Sequence, residues 1–408
     1  MRFWFKPRNT VSETTGDAER IIRSLNAQYY SDSGASVSVE SAQRFSTVYA
    51  CVRLLSDTIA QMPCKLMEIK PDGSRHPAID DPLSMLLSTS PNNGLTSFDF
   101  WRKMTESLLY RGYAVARVIR TQGRIMQLIP LVNVNKIERD LYGKYIFTYL
   151  NQNGGMVTLR QDDAFFSFYS VGDNMLPVSP IELNRNAIGL GMSAEKHGSK
   201  VFKSGGRPSG TLDMPGALDG KVRDAIKKGW DAAYGPNGDG GIAILEGGAK
   251  YANIAMSMED AQYLQTRQFQ RQDICGIFGV PPHMISDTAQ AKGWSTMEQM
   301  MTEFLTLTIN PLSIRYEQSI DKLLIDKKDW GRKYSMFETK GLLRADTGTR
   351  SSYYATGISN GWLEINEVRK LEDMNPLPPE RVKELEERGK NKVKQNEQPP
   401  ATRIAEAA

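Results

Sequence analysis

Apolar positions recur at spacings of three and four from Phe45 to Gln61. Phe45, Val48, Tyr49, Val52, Leu55 and Ile59 line one side of a predicted amphipathic helix. Pro63 ends it, and Lys65-Leu66-Met67-Glu68-Ile69 then alternates with the period of a strand. Pro71-Asp72-Gly73-Ser74 has the composition of a turn. Short helices follow at Pro82–Ser88 and Ser97–Tyr110, the second with Phe98, Trp101, Leu108 and Leu109 as its apolar set. Tyr113–Ile119 and Met126–Leu131 alternate around Gly123 as a hairpin, and Tyr145–Leu150, Met156–Leu159 and Phe165–Tyr169 read as further strands. The pattern predicts one α+β domain over 41–178. It is preceded by an N-terminal arm, 1–40, with one short helix near Ala18–Tyr29.

Ser179-Pro180-Ile181-Glu182 opens a helix with an N-cap serine, proline at N1 and Glu at N3. The helix is predicted to run to Ser204, before Gly205-Gly206, a length of roughly 37 Å. Residues 206–256 form a small α/β excursion. Its expected elements are a strand in Pro208–Met214, a helix over Leu218–Tyr234, and strands at Ile242–Leu245 and Lys250–Ile254. A second long helix begins near Ser257, which makes a capping-box-like start with Asp260. Helices that bracket so short an insert should lie side by side as an antiparallel stalk.

That second helix is unusually polar. From Gln265 to Asp273 only Phe269 is clearly apolar, and four residues are Gln. Such a helix is expected to face solvent, line a lumen or pack on another copy rather than bury a face in its own core. A Pro281-Pro282 turn and a small-residue loop follow, then a helix from Thr296 to Ile325 with Ser295 and Glu298 as its capping box. Asn310-Pro311 should kink this last helix. Leu342–Tyr354, Ile365–Leu371 and Glu380–Arg388 read as helices, and the Lys, Gln, Glu and Pro composition after Lys390 predicts disorder.

Composition narrows the function. The 408 residues exceed one compact core, and 40% hydrophobic with 24% charged is ordinary for a folded chain. No apolar run is long enough for a transmembrane helix. Three widely spaced cysteines, Cys51, Cys64 and Cys275, argue against a disulfide framework and a CxxC metal site. The histidines, His76, His197 and His283, have no partner at ligand spacing. A net charge of +4 is small for a protein that grips many phosphates, though not for one past which DNA slides. The nearest approach to a P-loop, Gly216 to Val222, has the wrong spacing and Val where Ser or Thr must ligate magnesium. The Gly235–Gly241 run lies between a helix and a strand, the reverse of a dinucleotide site. Ser209 is outside a GxSxG context. No catalytic constellation, cofactor site or metal site is expected.

The order of short segments along the chain resembles the portal (head-to-tail connector) proteins of tailed bacteriophages. The segments are Val48-Tyr49-Ala50-Cys51-Val52-Arg53, Ile59-Ala60-Gln61-Met62-Pro63, Tyr110-Arg111-Gly112-Tyr113-Ala114, Ser179-Pro180-Ile181, Arg207-Pro208-Ser209-Gly210 and Met258-Glu259-Asp260-Ala261-Gln262. Ile277-Phe278-Gly279-Val280-Pro281-Pro282 and Asn366-Glu367-Val368-Arg369 complete the set, spanning roughly 41–378. The resemblance implies an α+β portal-type fold: wing 41–178, stem helices 179–205 and 257–280, clip 206–256, channel loop 281–295, kinked wing helix 296–335, helical crown 336–390 and a disordered tail 391–408.

It implies no enzymatic activity and no cofactor. It implies instead a homo-oligomeric ring, usually a dodecamer, at one capsid vertex of the virion, assembled in the host cytoplasm and without a membrane. Its partners would be double-stranded DNA read without sequence specificity, the large terminase, the major capsid protein and a head-tail connector or adaptor. The expected channel-loop residues are Asp287, Gln290, Lys292, Gly293 and Trp294. Gln265, Arg267, Gln268, Arg271 and Gln272 are expected at the lumen or subunit interface, and Lys221, Arg223, Lys227 and Lys228 at the terminase-docking clip. Ring symmetry would turn one Lys292 per chain into a ring of lysines. The 257–325 stretch has five Lys/Arg against eight Asp/Glu, a net of −3 that keeps DNA from sticking to the wall. The competing readings are a nucleic-acid-processing enzyme, an ATPase subunit, or a minor head protein without a channel.

Overall fold

The computed structural model describes residues 29–32, 34–151, 153–203, 211–213, 219–234, 250–252, 258–285, 294–339, 347–372, 374–385 and 387. The expected helix near Ala18, the strand at Ile242–Leu245, the Ser257 cap and the tail after Lys390 lie outside them. The chain divides into two compact units, the first through Glu338 and the second from Thr339.

The first unit opens with a two-residue hairpin, β1 (Tyr29–Tyr30) and β2 (Ser36–Val37), and a short helix α1 (Val39–Arg44) capped by Ser38. Helix α2 (Ser46–Gln61) buries Val48, Val52, Leu55 and Ile59 as its spacing predicts, with Cys51 buried beside them, although Tyr49 stays about half exposed. Then come β3 (Cys64–Ile69), β4 (Arg75–Pro77), α3 (Pro82–Ser88) and α4 (Ser97–Arg111). In α4 the inward aromatic beside Trp101 is Phe100, whereas Phe98 is exposed. The helical phase of Trp101, Met104 and Leu108 selects Phe100, because residues at i+3 and i+4 share a face.

Strands β5 (Tyr113–Thr121), β6 (Arg124–Pro130), β7 (Val134–Arg139), β8 (Tyr145–Leu150), β9 (Met156–Arg160) and β10 (Ala164–Phe168) follow as antiparallel pairs. They form two three-stranded sheets, ordered β10-β5-β6 and β7-β8-β9. Tyr113, Val115, Ile137, Phe147 and Leu159 join the two sheets in one buried cluster. A small hairpin, β11 (Ser170–Val171) and β12 (Pro177–Val178), leads out.

The helix expected from Pro180 to Ser204 is not continuous. It is α5 (Pro180–Leu183), a break at Asn184, and α6 (Arg185–Lys203). Ser179 Oγ accepts from the Ile181 amide and donates to the Tyr110 carbonyl, which anchors the first turn to α4. Asn184 holds non-helical angles (φ −111°, ψ 26°), and its side chain donates to the Pro180 carbonyl. A side chain that competes for a backbone acceptor is a recognised helix interrupter. The excursion shows β13 (Thr211–Asp213) paired with β14 (Lys250–Ala252), and α7 (Gly220–Tyr234) between them in sequence.

After α8 (Met258–Phe278) comes α9, which begins at Trp294 and runs to Phe304. Ser295 is therefore inside the helix rather than its cap, and Trp294 is a helix residue rather than a loop residue. Leu305–Ile309 form a five-residue π-helical segment, and α10 (Asn310–Leu323) resumes the α pitch. Asn310 N–H donates to the Leu305 carbonyl, five residues back. The proline at 311 lacks a donor, and the wider turn before it is where the ladder absorbs that loss.

The helix predicted to run to Ile325 ends at Leu323, and beyond it β15 (Lys333–Phe337) pairs antiparallel with β3 and places Phe337 opposite Cys64. Glu317 and Asp321 of α10 hold it in place. Glu317 Oε1 accepts from Phe337 N–H at 2.7 Å, and Asp321 Oδ1 accepts from Ser335 N–H at 2.7 Å. Burial pushes both carboxyls above the usual carboxylate range, and the charge of Asp321 raises Glu317 further. A raised folded-state value favours the neutral form. The pair's contribution is full below pH about 4 and is lost as pH rises through the folded values. The Glu317→Gln, Asp321→Asn double variant should therefore gain melting temperature relative to the unmodified chain between pH 4 and pH 7. A difference that does not move with pH would show that the two carboxyls titrate normally.

In the second unit, α11 (Thr347–Ser359) is helical over the described part of the predicted Leu342–Tyr354, whose first residues lie outside the described ones, and α12 (Ile365–Leu371) matches its prediction. Residues 379–385 are helical. Tyr353 and Trp362 stack edge-on at 4.9 Å, and Tyr354 Oη donates to Glu372 Oε1.

Candidate functional site

Helices α6 and α8 lie against each other, as predicted for the stalk. They meet at Gly191, where a Cβ would come 3.4 Å from Gln270 Oε1 and 2.9 Å from the Phe45 ring. Gly189 likewise leaves room for Ser31 of the N-terminal hairpin. Glycine is needed at both positions because a side chain would run into Ser31 at 189 and into the Phe45 ring at 191.

The expectation that α8 buries no face is corrected here. Gln270, Ile274, Cys275 and Phe278 are buried against α2 and α6. The apolar Phe269 is 68% exposed, while Gln270 is 6% exposed. Gln270 stands four residues before Ile274 and eight before Phe278, so its phase, not its polarity, takes it inside. Its Nε2 has no hydrogen-bond partner among the described residues. The Cys51 and Cys275 thiols are in hydrogen-bond contact across the α2–α8 packing. That contact holds Cys275 below the usual thiol range, with the charge of Arg271 adding to it, and pushes Cys51 up.

The outward side of α8 carries the predicted residues. Gln268 and Gln272 are exposed one turn apart, and Arg267 and Arg271 are half-buried on the adjoining line. Gln265 lies in the same helix, but its side chain is outside the described residues. On α7, Lys221, Arg223 and Lys228 are exposed, and the Lys227 side chain is outside the described residues. So are Asp287, Gln290, Lys292 and Gly293. Trp294 begins α9, and its side chain is outside the described residues.

The chain leaves α8 through a fixed exit. Gly279 takes φ +66°, and Val280 N–H donates to the Cys275 carbonyl at 2.9 Å, closing the helix with a left-handed cap. Thr308, inside the π segment, donates through Oγ1 to the Gly279 carbonyl at 2.6 Å. Pro281 and Pro282 then start a 3₁₀ turn, Pro282–Met284. The first residues of the loop are thus clamped to the irregular part of the long helix. Sequence reading missed Thr308, because nothing local marks a threonine that bonds a carbonyl so far away in the chain. No helix among the described residues is long and apolar enough to cross a membrane.

A family model described as "Phage portal protein" matches residues 46–373. The chain is 32% identical over 362 residues to the "Probable portal protein" of Streptomyces phage phiC31, covering 85% of this chain and 78% of that one. Its fold is similar to the crystal structure of an HK97-family phage portal protein from Corynebacterium diphtheriae. That match has 16% identity, a TM-score of 0.54, and covers 75% of this chain and 96% of the other. It is also similar to a chain in the neck of a native gene transfer agent particle computed with C12 symmetry. There the identity is 16%, the TM-score 0.51, and the coverage 88% of this chain and 99% of that one.

Proposed function

The chain belongs to the phage portal protein family and serves as the portal connector of a capsid; from that premise we propose that its copies close into a ring, a dodecamer, around a channel for double-stranded DNA. DNA would enter under the drive of a large terminase and leave at ejection. The same platform would seat the terminase first and a head-tail connector later, with the major capsid protein around it at one vertex of the virion. The observation that carries this reading is the sidedness of α8, which buries Gln270, Ile274, Cys275 and Phe278 and turns Gln268 and Gln272 to solvent. A helix whose outer face is amide-rich and nearly neutral suits an aqueous lumen and contacts with further copies. The C12 symmetry of the neck particle supports the count of twelve.

Within this reading, residues 41–178 and 296–335 are the wing, the α6–α8 pair is the stem, 206–256 is the clip and 336–390 the crown. Lys221, Arg223, Lys227 and Lys228 are the docking charges for the motor. Asp287, Gln290, Lys292, Gly293 and Trp294 meet the DNA backbone, and contacts to phosphate alone fit a channel that every genome sequence must traverse. The role is structural, as in the family, and uses no cofactor.

Negative-stain images of the purified chain test the ring: closed rings with a central hole are expected, and compact monomers under assembly conditions would overturn it. Deleting Asp287–Lys292 is expected to leave rings intact and to impair DNA packaging or retention. Loss of rings in that variant would make the segment a structural element instead.

A further inference from the structure

Two large apolar side chains on the stem pair face solvent. Phe269 of α8 is 68% exposed and Leu190 of α6 is 51% exposed. Each directly precedes a residue at a contact between the two helices, since a Cβ on Gly191 would lie 3.4 Å from Gln270 Oε1. Leu190 and Phe269 therefore lie at one level along the pair. Around Leu190 the α6 surface is low. Ala187 and Ala194, at i−3 and i+4, are small, and the neighbouring glycines face inward. Phe269 is flanked by the exposed polar residues Gln268 and Gln272. One bulky ring on a polar helix and one leucine on a small-residue helix are a knob and a seat of matched size.

We infer that Phe269 of one copy packs on Leu190 of the adjacent copy, so that the stem interface of the ring is an α8-to-α6 contact centred at this level. The inference rests on the ring reading above. Rotation about a ring axis parallel to the helix pair leaves height unchanged. Two residues level within one copy are then level between neighbours. A ring contact is heterologous, with a different surface on each side, and these two residues stand on different helices. Isolated exposed apolar residues need no partner, but two at one level, on opposite members of a helix pair, fit a repeating copy-to-copy contact. In the assembly Gln268 and Gln272 then border the contact, and the half-buried Arg267 and Arg271 sit beside it.

The test mixes two chains, Leu190→Cys and Phe269→Cys, during assembly and treats the rings with a short bismaleimide. The native cysteines, Cys51, Cys64 and Cys275, are buried, and the unmodified chain controls for them. A cross-linked dimer is expected from the mixture and from neither variant alone. Because each chain carries one of the two new thiols, that dimer can only join different copies. Rings in the mixture without a dimer above the controls would overturn the contact and leave the portal reading standing. A dimer from either variant alone would also overturn it, since like positions would then meet. Failure of the unmodified chain to form rings would overturn the ring reading, and this contact with it. As a second readout, Phe269→Ala should raise the chain concentration for half-assembly at least about tenfold. Its monomer should melt within about a degree of the unmodified one, because the side chain is exposed before assembly. Unchanged assembly by Phe269→Ala would remove the ring from the interface.

Discussion

Trp101→Ala is expected to cost about 3–5 kcal/mol and to lower the first unfolding transition more than any other single truncation in the aromatic core. Trp101 is fully buried in α4, and its ring meets Phe100 at 5.1 Å, Phe165 at 6.2 Å, Tyr316 at 5.3 Å and Phe337 at 5.0 Å, all edge-on. These partners come from α4, β10, α10 and β15. The indole N–H donates to the Leu87 carbonyl at the end of α3. Truncation therefore opens a cavity where four separate elements converge, and none can close it without moving the others. Edge-on aromatic pairs add about 0.5–1.5 kcal/mol each beyond area, which places the variant toward the top of the range. Phe98→Ala, on the exposed side of the same helix, should cost under about 1 kcal/mol. Calorimetry of the two variants gives the comparison, and similar melting temperatures would show that Trp101 is not the keystone.

Gly112→Ala should be at least as damaging, by about 4 kcal/mol or more, despite adding a single methyl group. Gly112 closes α4 with φ +80°, a region costing an alanine about 1–2 kcal/mol. The larger problem is space. A Cβ there would press on the Val178 carbonyl oxygen, 2.6 Å from the Val178 carbonyl carbon and 2.8 Å from Ser179 N. Those are backbone atoms at the junction of β12 with α5, and Ser179 is already tied to Tyr110. Relief would require the α5–α6 segment to shift, so ring assembly should fail along with stability. Gly73→Ala separates the two contributions. Gly73 has φ +83° and nothing within 4 Å of the added atom, so it should show the conformational cost alone. Equal losses at the two positions would rule out the clash as the cause.

Elements with one strong periodicity were legible in the sequence. The apolar spacing of α2 and the alternation of β5, β8 and β10 each state their own class. Strands β4, β7 and β15 were not. Their segments are short, Val134–Arg139 is half charged, and β15 owes its pairing to a distant edge of β3. Non-local pairing leaves little trace in a local pattern. The break at Asn184 was hidden because the Ser179-Pro180 start signal is strong enough to imply a long helix. At the stem, polarity was read correctly from composition but its direction was not. Phase alone would have put Gln270 inside and Phe269 outside.

The strand β15 has one further consequence, for synthesis on the ribosome. Phe337 supplies one wall of the Trp101 cluster and pairs β15 with β3, near the opposite end of the first unit. A nascent chain that has released α2, the sheets and even the stem still lacks that wall. Its aromatic core stays open until almost the whole unit has emerged, because a domain completes only when its last long-range contact can form. Neighbouring nascent chains on one message would thus be unable to associate early, and ring closure would be reserved for finished subunits.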